Sequence, residues 1–358
     1  MTPSTVAQSS TSTDLSGLVP SPLEAPAIRW GVLGAGGIAG TFARAVTTET
    51  ASRVAAVGSR DSARAKAFAD ANLGPDAATV HVHDTYEALV ADPDVDAVYV
   101  ATPHSHHRDH ALLAIRAGKH VLVEKAFTRN AGEAEEVLAA AREAGVFVME
   151  AMWTRFLPHV AALRAALARG EIGDVVSLVA DHGQLFPLDP THRLYDRDLA
   201  GGALLDLGVY PVSFAHDILG VPESVTAVGQ LTETDVDGQI SMVLDYASGA
   251  QALLHTTLWS RTPTTATISG TLGRIEVEGA FYAPTSFRVV GFDGSVRTYE
   301  RPAVKGLEFE AAEVARRITA GDTQSPRMTW DGTLEVMRTM DEVRRQVGVT
   351  YPGEQESR

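Results

Sequence analysis

The sequence predicts an α/β protein in which a doubly wound parallel sheet is followed by an α+β domain with a large, mostly antiparallel open sheet. Up to about residue 149, short apolar runs alternate with helical stretches, as in parallel sheets that helices cover on both faces. Beyond residue 150, consecutive strand-like runs are joined by short turns, which indicates antiparallel pairing. The 358 residues suffice for two hydrophobic cores. We therefore expect domains at residues 27–149 and 150–358.

Residues 1–26 are rich in Ser, Thr and Pro and have no basic segment followed by an apolar core, so we expect a flexible leader. The segment is a poor signal peptide, and a cytoplasmic location is the default expectation. The formal net charge of −15 argues against a nucleic-acid or anionic-membrane partner. No apolar run approaches the roughly 20 residues of a membrane helix. The absence of cysteine excludes disulfides and thiolate catalysis.

Strands and helices alternate through the first domain. The predicted strands are Ile28–Leu33, Arg53–Gly58, Val80–Val82, Ala97–Ala101, His120–Glu124 and Val146–Val148. The predicted helices are Ile38–Val46, Ala63–Ala71, Thr85–Val90, His107–Ala117 and Ala131–Ala144. Gly118 and Gly145 end the last two helices, because glycine readily adopts the conformation that closes a helix. In such a series the ligands gather at the carboxyl ends of the strands.

A glycine-rich turn joins the first strand to the first helix. Its pattern, Gly34-x-Gly36-x-x-Ala39, is the dinucleotide-binding fingerprint in the context that supports it. Gly34 permits the tight turn, Gly36 lets the backbone approach a pyrophosphate, and Ala39 allows close packing of helix on strand. Gly37 and Ile38 open the helix whose amides would face the phosphates. The turn predicts a Rossmann domain, with a generic small-residue turn as the alternative.

The end of the second strand indicates which dinucleotide binds. An NAD site usually has an acid there for the ribose 2′-hydroxyl, whereas this chain has Ser59 and Arg60. A guanidinium suits a 2′-phosphate by charge and by its fork of donors, so we predict NADP, with NAD still possible. Arg60 could instead face solvent. Asp61 adds an acid at this point, although it also suits the N-cap of the next helix.

Lys125 follows the carboxyl end of a buried strand and is preceded by Glu124. A lysine at this position can hydrogen-bond a substrate hydroxyl and relay its proton while hydride passes to a nicotinamide. The alternative is an ordinary surface pair between Lys125 and Glu124. Position does not decide between these two hypotheses.

The second domain begins with a helix and continues with strands. The predicted strands are Val175–Asp181, Ser224–Leu231, Gln239–Asp245, Ala250–Thr257, Thr264–Ser269, Arg274–Val277 and Phe287–Val290. The predicted helices are Pro158–Ala168, Val209–Leu219, Leu307–Ala320 and Trp330–Gln346. Turn pairs such as Ser248-Gly249 separate several strands and favour hairpins.

Several segments together resemble the glucose–fructose oxidoreductase/inositol dehydrogenase (Gfo/Idh/MocA) family. In order along the chain, they are Gly34–Ala39, Ala101–Pro103, Ala117–Lys125 and Gly201–Tyr210. The segment Met149–Phe156 is typical of the branch that holds the dimeric dihydrodiol dehydrogenases and NADP-dependent D-xylose dehydrogenases. The resemblance spans about residues 28–351.

The resemblance implies an enzyme that transfers hydride between NADP and a secondary alcohol or hemiacetal hydroxyl of a sugar, polyol or trans-dihydrodiol. It implies that Lys125 is the catalytic lysine. Asp206 and Tyr210 match the family's second active-site motif, with Tyr210 as proton donor or acceptor. Trp153 and Arg155 would approach the nicotinamide end and the substrate. The open sheet would cover the nicotinamide and form a homodimer or homotetramer.

Other interpretations of these positions stay open. Asp206 could be the N-cap of the following helix, and Tyr210 a core aromatic with a satisfied hydroxyl. His182, at the end of a second-domain strand, could contact substrate or simply be packed. The family's proline after the lysine is Ala126 here. Without it, the lysine loop is either looser or held on the same path by packing.

Four histidines between residues 104 and 110 have the composition of a metal site, and His106 and His110 share one helical face. Further ligands and supporting contacts are not evident, so no metal is expected. The family pattern instead places one histidine, His107, near the cofactor, and His104 is expected to line the nicotinamide pocket. The expected lining of the nicotinamide pocket is Thr102, Pro103, His104, His107, Glu124 and Lys125.

Two other functions remain open. The chain could be a regulator or sensor that binds NADP without turnover, although the presence of Lys125, Asp206 and Tyr210 counts against this. It could also be an oxidoreductase that keeps its cofactor tightly bound and passes hydride between two sugars.

Overall fold

The computed structural model describes residues 11–13 and 18–354. Two short elements fall within the predicted leader: β1 (Thr11–Thr13), which pairs with the last strand of the second sheet, and a 3₁₀ helix at Pro22–Glu24. The rest of the leader before residue 18 lies outside the described residues. The composition of the leader did not predict these elements.

The first half of the chain forms a six-stranded parallel sheet, as predicted. Its strand order is β4-β3-β2-β5-β6-β7. Strands β2 to β4 are added towards one edge of the sheet and β5 to β7 towards the other, so the strand order switches between β2 and β5. Ligands of such sheets bind at this switch point. The strands are β2 (Arg29–Leu33), β3 (Arg53–Gly58), β4 (His81–His83), β5 (Ala97–Val100), β6 (His120–Glu124) and β7 (Val148–Ala151). The helices are α1 (Gly37–Glu49), α2 (Ser62–Asn72), α3 (Tyr86–Val90), α4 (His107–Arg116) and α5 (Ala131–Ala144).

The last strand of this sheet, β7, begins later than predicted. The amide of Val146 still bonds the carbonyl of Ala141 in α5, at 3.2 Å, so this residue belongs to the end of the helix and not to the sheet. The strand proper is Val148–Ala151, which carries the chain directly towards the segment of Trp153.

The second sheet has nine strands in the order β1-β15-β14-β13-β12-β8-β11-β10-β9. It is mostly antiparallel, as predicted, and its two parallel pairs are β1 with β15 and β8 with β11. The strands are β8 (Val175–Gly183), β9 (Ser224–Leu231), β10 (Asp237–Asp245), β11 (Gln251–Thr257), β12 (Ala266–Gly270), β13 (Gly273–Val277), β14 (Phe287–Gly291) and β15 (Val296–Tyr299). The sequence analysis did not predict β15, which is only four residues long.

Four helices accompany this sheet: α6 (Pro158–Ala168), α7 (Val209–Leu219), α8 (Leu307–Ala320) and α9 (Trp330–Val347). α7 packs on β8 and β11, and α9 packs on both β9 and α5. The two halves of the chain meet between α5 and α9 and between α1 and α8. No helix in the described part of the chain is long and apolar enough to cross a membrane.

The core of the parallel sheet fixes α1 at the switch point. Every residue of β5 is buried, as a strand covered on both faces requires. Phe42 of α1 stacks on Tyr99 with ring centres 3.9 Å apart, and it meets Trp30 of β2 edge-on at 5.1 Å. This packing holds the glycine turn at the edge where a ligand would bind.

Candidate active site

The glycine turn has the geometry that its sequence predicts. Gly34 has a φ of +108°, and a Cβ there would lie 2.9 Å from the carbonyl oxygen of Ala101. Position 34 therefore needs glycine. A Cβ on Gly37, by contrast, would meet nothing within 4 Å. Gly36 occupies the N-cap position of α1. Since no side chain there bonds the first amides of the helix, these amides are available to an anion. Ala39 is fully buried, which allows the helix to pack closely on the strand.

The residues after β3 lie beside an open cleft between α1 and α2. Ser59 is buried and its amide donates to the carbonyl of His83 at 3.2 Å, while Arg60 is exposed. The carboxylate of Asp61 accepts from the amide of Ala63 at 2.9 Å and caps α2. The N-cap interpretation of Asp61 is thus confirmed, and this acid is engaged by its own helix.

Two arginines of this cleft were missed in the sequence analysis. Arg44 of α1 and Arg64 of α2 line it together with Gly36 and Gly37. The Arg64 guanidinium donates to the carbonyl of Ala35, within the glycine turn, at 3.4 Å. Arg60 precedes the N-cap Asp61 and lies outside α2, so no helical spacing links it to Arg64, and no sequence pattern singled out Arg44 or Arg64.

His107 connects the ends of two strands. Its Nδ1 lies 2.9 Å from the carbonyl oxygen of Ala126, and its Nε2 lies 2.8 Å from that of Thr102. Burial lowers the pKa of His107 to about 4, so the neutral ring donates to one of these carbonyls at a time. His104 is also buried, with Nδ1 3.1 Å from the carbonyl oxygen of Ala200 in the second domain. Both histidines thus order the loops around Lys125.

Ala126, which stands where the family has proline, is fully buried. The peptide bond between Lys125 and Ala126 is cis. The next amide, that of Phe127, donates to a carboxylate oxygen of Glu150 at 3.2 Å. Packing and hydrogen bonds therefore hold this loop, as the second of the two alternatives expects.

The surface-pair interpretation of Lys125 is wrong. The Lys125 ammonium donates to the backbone carbonyl of Asp206 at 2.6 Å and lies 3.4 Å from its carboxylate. Glu124 has other hydrogen-bond partners. Its carboxylate accepts from the hydroxyl of Tyr99 and, at 3.1 Å, from the backbone amide of Lys125. Burial, as the largest influence, raises the pKa of Glu124.

Asp206 lies in a π-helical turn, Leu204–Gly208, that leads directly into α7. The N-cap interpretation of this residue is also wrong, since the N-cap of α7 is Gly208. The buried carboxylate of Asp206 also accepts from Arg193 at 3.0 Å. Burial opposes ionisation, but the Lys125 and Arg193 cations outweigh it and hold the pKa of Asp206 below its usual range. The site therefore contains a charged Lys–Asp–Arg group, of which sequence analysis missed Arg193.

Tyr210 lies one turn after Asp206 and faces the same ammonium. The Nζ of Lys125 is 5.0 Å from the centre of the Tyr210 ring. The Tyr210 hydroxyl accepts a hydrogen bond from the indole of Trp153 at 3.3 Å. Burial raises the pKa of Tyr210 well above its usual value, and the nearby Glu124 carboxylate raises it further, so the phenol holds its proton.

An aromatic group completes this side of the site. Tyr210 stacks on Tyr282 with ring centres 4.4 Å apart, and Tyr282 stacks on His182 at the same distance. His182 is buried, with Nδ1 3.1 Å from the carbonyl oxygen of Leu207. Sequence analysis missed Tyr282, because nothing in the loop after β13 distinguishes it from other tyrosines.

The structure does not bring Arg155 into this group, and this corrects the expectation that it approaches the substrate. Its guanidinium is buried and donates to the hydroxyl of Ser213 at 3.1 Å and to the Ser213 carbonyl at 3.2 Å. Its own carbonyl accepts from Arg164 at 3.0 Å. Arg155 thus joins the Trp153 segment to α7, a role that helps to position Trp153 and Tyr210.

Comparison with known proteins shows which proteins this chain resembles. The sequence profile of an oxidoreductase family with an NAD-binding Rossmann fold, GFO/IDH/MocA, matches residues 28–152. The profile of a GFO/IDH/MocA C-terminal domain matches residues 160–276. The trans-1,2-dihydrobenzene-1,2-diol dehydrogenase of Xenopus tropicalis is 38% identical over 339 residues, which cover 91% of this chain and all of that protein. A D-xylose 1-dehydrogenase (NADP⁺) of Hypocrea jecorina is 36% identical and covers 91% of this chain and 93% of its own length.

Solved structures of oxidoreductases are also similar. A 3-ketoreductase from Actinomadura kijaniata, in complex with NADP and TDP-benzene, has a TM-score of 0.79 at 28% identity. An aldose-aldose oxidoreductase from Caulobacter crescentus, complexed with glycerol, has a TM-score of 0.80 at 28% identity. Each comparison covers 90% of this chain and 98% of the other. The similarity therefore extends over both sheets.

Proposed function

This chain belongs to the GFO/IDH/MocA oxidoreductase family, and we propose that it catalyses reversible hydride transfer between NADP and a secondary alcohol or hemiacetal hydroxyl. The substrate class is a sugar, a polyol or a trans-dihydrodiol. The observation that carries this proposal is the Lys125 ammonium, held by Asp206 and facing Tyr210 at the carboxyl edge of the parallel sheet.

The cleft beside α1 fits a dinucleotide phosphate. The amides at the start of α1 lack a side-chain cap, and the space above Gly37 is open. Arg44, Arg60 and Arg64 would offer positive charge to a 2′-phosphate, which favours NADP over NAD. When bound, the cofactor supplies or accepts the hydride at its nicotinamide ring.

The residues around Lys125 would manage the substrate oxygen and its proton. The Lys125 ammonium can donate to that oxygen and stabilise the negative charge that develops on it. Asp206 fixes the ammonium in place. Because the phenol of Tyr210 holds its proton, it is suited to donate that proton when a carbonyl is reduced to an alcohol. In the reverse direction the Tyr210 phenol first releases its proton to solvent, and the resulting phenolate accepts the proton of the substrate hydroxyl.

The aromatic group favours a ring-shaped substrate. The faces of Tyr210, Tyr282 and His182 are stacked in sequence, with Trp153 beside them. Flat aromatic surfaces pack well against the apolar face of a pyranose or of a dihydrodiol ring. The polar groups that would orient the hydroxyls on such a ring are Lys125 and Arg193.

The test is a substrate panel with the purified full chain. NADP or NAD is offered with D-xylose, other aldoses, inositols and trans-dihydrobenzenediol, and formation of reduced nicotinamide is followed by absorbance. Turnover with NADP on a member of the panel supports the proposal, with kcat/KM at least about tenfold higher for NADP than for NAD, since one charge-assisted contact is worth about 1.5–3 kcal/mol. Tight NADP binding without turnover of any member would contradict it and favour the sensor.

A second candidate is transfer of hydride between two sugars without release of the cofactor. The similarity to the Caulobacter crescentus aldose-aldose oxidoreductase motivates it. The two mechanisms differ in the state of the purified protein. A chain that carries reduced or oxidised nicotinamide through gel filtration, and that converts sugar pairs without added NADP, favours this second candidate. A protein that is free of cofactor and depends on added NADP favours the dehydrogenase.

We also propose a homodimer or homotetramer that forms through the open face of the second sheet. Val179, Leu253 and Val243 lie side by side across β8, β11 and β10 in the pairing register. Val179 and Leu253 are 49% and 45% exposed, which is unusual for neighbouring apolar side chains on one sheet face. Replacing both by Asp should convert the assembly to monomers in sedimentation velocity. An unchanged sedimentation coefficient would place the interface elsewhere.

A further inference from the structure

Three side chains converge at the outer edge of the parallel sheet, away from the site described above. His81 and His83 lie two residues apart on the edge strand β4, so they project from the same face. Asp92 lies in the loop between α3 and β5. The Nδ1 of His81 is 2.7 Å and the Nε2 of His83 is 2.8 Å from the same carboxylate oxygen of Asp92.

We propose that His81, His83 and Asp92 form a binding site for a divalent transition metal, with Zn²⁺ as the preferred ion. Their ligand atoms all lie within 4.8 Å of one another. Two imidazoles and one carboxylate suit Zn²⁺, whereas Ca²⁺ and Mg²⁺ require a set of oxygen ligands. The sequence predicts no metal, and its only metal-like pattern is the histidines between residues 104 and 110.

The site combines a buried ligand with more exposed ones. The Asp92 side chain is only 3% exposed, and its second oxygen accepts from the amide of Asp94 at 2.8 Å, which orients the carboxylate. The side chains of His81 and His83 are 50% and 22% exposed. The exposed rings can turn to admit an ion, and solvent can supply the fourth ligand.

Binding of an ion requires only a small rearrangement. Tetrahedral ligands at about 2.0–2.1 Å from Zn²⁺ lie roughly 3.3 Å apart, about half an ångström more than the present contacts. Each imidazole must place its lone pair, rather than a proton, towards the ion, so the proton moves to the other ring nitrogen. The nearby Lys119 ammonium is bound to the backbone carbonyls of Asp92 and Val95, at 2.8 and 2.7 Å, and does not occupy the carboxylate.

An ion at this site would join β4 to the loop before β5. The carbonyl of His83 also accepts from the amide of Ser59 at 3.2 Å, so the site is one hydrogen bond from the end of β3. An ion bound only by the folded chain would therefore stabilise this edge of the parallel domain.

The test uses the full chain, prepared without a histidine tag and freed of metal by a chelator. ZnCl₂ is titrated by calorimetry, and CoCl₂ is added separately to record the absorption of a tetrahedral Co²⁺ centre. We expect one equivalent of Zn²⁺ to bind with a Kd of about 10 μM or tighter, and the thermal unfolding midpoint to rise on binding.

The variants His81→Gln and Asp92→Asn should each weaken Zn²⁺ binding at least about tenfold. The control His255→Gln removes a histidine on β11 in the other sheet and should bind as the wild type does. Because His81 is exposed, we expect His81→Gln to fold even if Asp92→Asn does not, and this variant alone then tests the site. The proposal is overturned if Zn²⁺ binds no tighter than about 1 mM, or if His81→Gln binds as tightly as the wild type.

Discussion

The ammonium of Lys125 lies 2.6 Å from the backbone carbonyl oxygen of Asp206, a residue 81 positions further along the chain. Lys125 follows the last residue of β6, and Asp206 lies in the π-helical turn before α7. The contact thus joins the parallel sheet to the second domain and places Tyr210 beside the same ammonium. The predictions on catalysis below depend on this arrangement.

Lys125→Met should lower kcat by about 10²–10⁴-fold, because it removes the donor to the substrate oxygen. The Kd for NADP, measured by fluorescence titration, should change by less than about threefold, since the loss concerns the transition state. The control Lys66→Met removes an exposed lysine of α2 that pairs with Asp70, and it should leave kcat unchanged. A Lys125→Met enzyme with wild-type kcat would mean that the lysine is not catalytic.

Tyr210→Phe should reduce kcat by about 10²-fold or more while keeping the ring that stacks on Tyr282. The matched control is Tyr282→Phe, which also removes one hydroxyl from the stacked aromatic group but none beside Lys125. We expect that control to raise KM more than it lowers kcat. Equal losses of kcat in the two variants would argue that the aromatic group, and not the Tyr210 hydroxyl, carries the effect.

Arg60→Ala and Arg64→Ala should each raise the Kd for NADP about 10–100-fold, because each removes a charge-assisted contact worth about 1.5–3 kcal/mol. The Kd for NAD, which lacks the 2′-phosphate, should change by less than about threefold, a change of well under 1 kcal/mol. The measurement is a titration of each variant with both cofactors. An NADP preference that persists in both variants would show that other residues select the cofactor.

Gly34→Ala should destabilise the fold by about 1–3 kcal/mol, because position 34 has a φ of +108° and a Cβ would meet the carbonyl of Ala101. Gly37→Ala is the matched control in the same turn, since a Cβ there meets nothing within 4 Å. Its free energy of unfolding should stay within about 1 kcal/mol of the wild type. Denaturant unfolding of both variants measures the difference, and equal stabilities would contradict the geometry of the turn.

Stability should fall as the pH drops below about 6.5, because buried histidines stay neutral in the native state while those of the unfolded chain take up protons. His159 is an example: burial lowers its pKa from 6.5 to about 4. His159→Gln should therefore flatten the stability–pH slope by about 1.4 kcal/mol per pH unit between about pH 5 and 6. Urea unfolding at a series of pH values measures this slope.

Glu150→Gln should change the slope of stability against pH in the opposite direction to His159→Gln. Burial raises the pKa of Glu150 from 4.5 to about 7, so the native state holds a proton that the unfolded chain has lost. This carboxyl contributes stability that is lost as the pH rises towards 7, and it opposes the histidines. Without it, the slope between about pH 5 and 6 should become steeper. A flatter slope in Glu150→Gln would contradict the raised pKa of this group.

The sequence alone predicted the elements that repeat a simple pattern. The apolar run of β5, the glycine turn and the alternation of strands and helices indicated the parallel sheet, since each reflects burial or backbone conformation within a few residues. It did not predict β15, which is short and has polar residues at its two central positions. Nor did it predict that Val146 belongs to the end of α5, which depends on one backbone hydrogen bond.

The residues of the candidate site also fall into those that the sequence predicted and those that only the structure revealed. Sequence patterns and family resemblance indicated Lys125, Asp206 and Tyr210, because these residues belong to motifs. Only the tertiary structure showed that Lys125 pairs with Asp206 rather than with its neighbour Glu124. It also added Arg193 and Tyr282 to the group, and it assigned Arg155 to Ser213.

The sequence by itself thus determined the fold class, the glycine turn and the lysine at the strand end, which are properties of local patterns and of hydrophobic periodicity. The tertiary structure decided which side chains meet: Lys125 with Asp206 and, at the far edge of the sheet, His81 and His83 with Asp92. The physical reason is that such contacts depend on distances of a few ångströms between segments far apart in the chain. Those distances are set only when the strands and helices pack together.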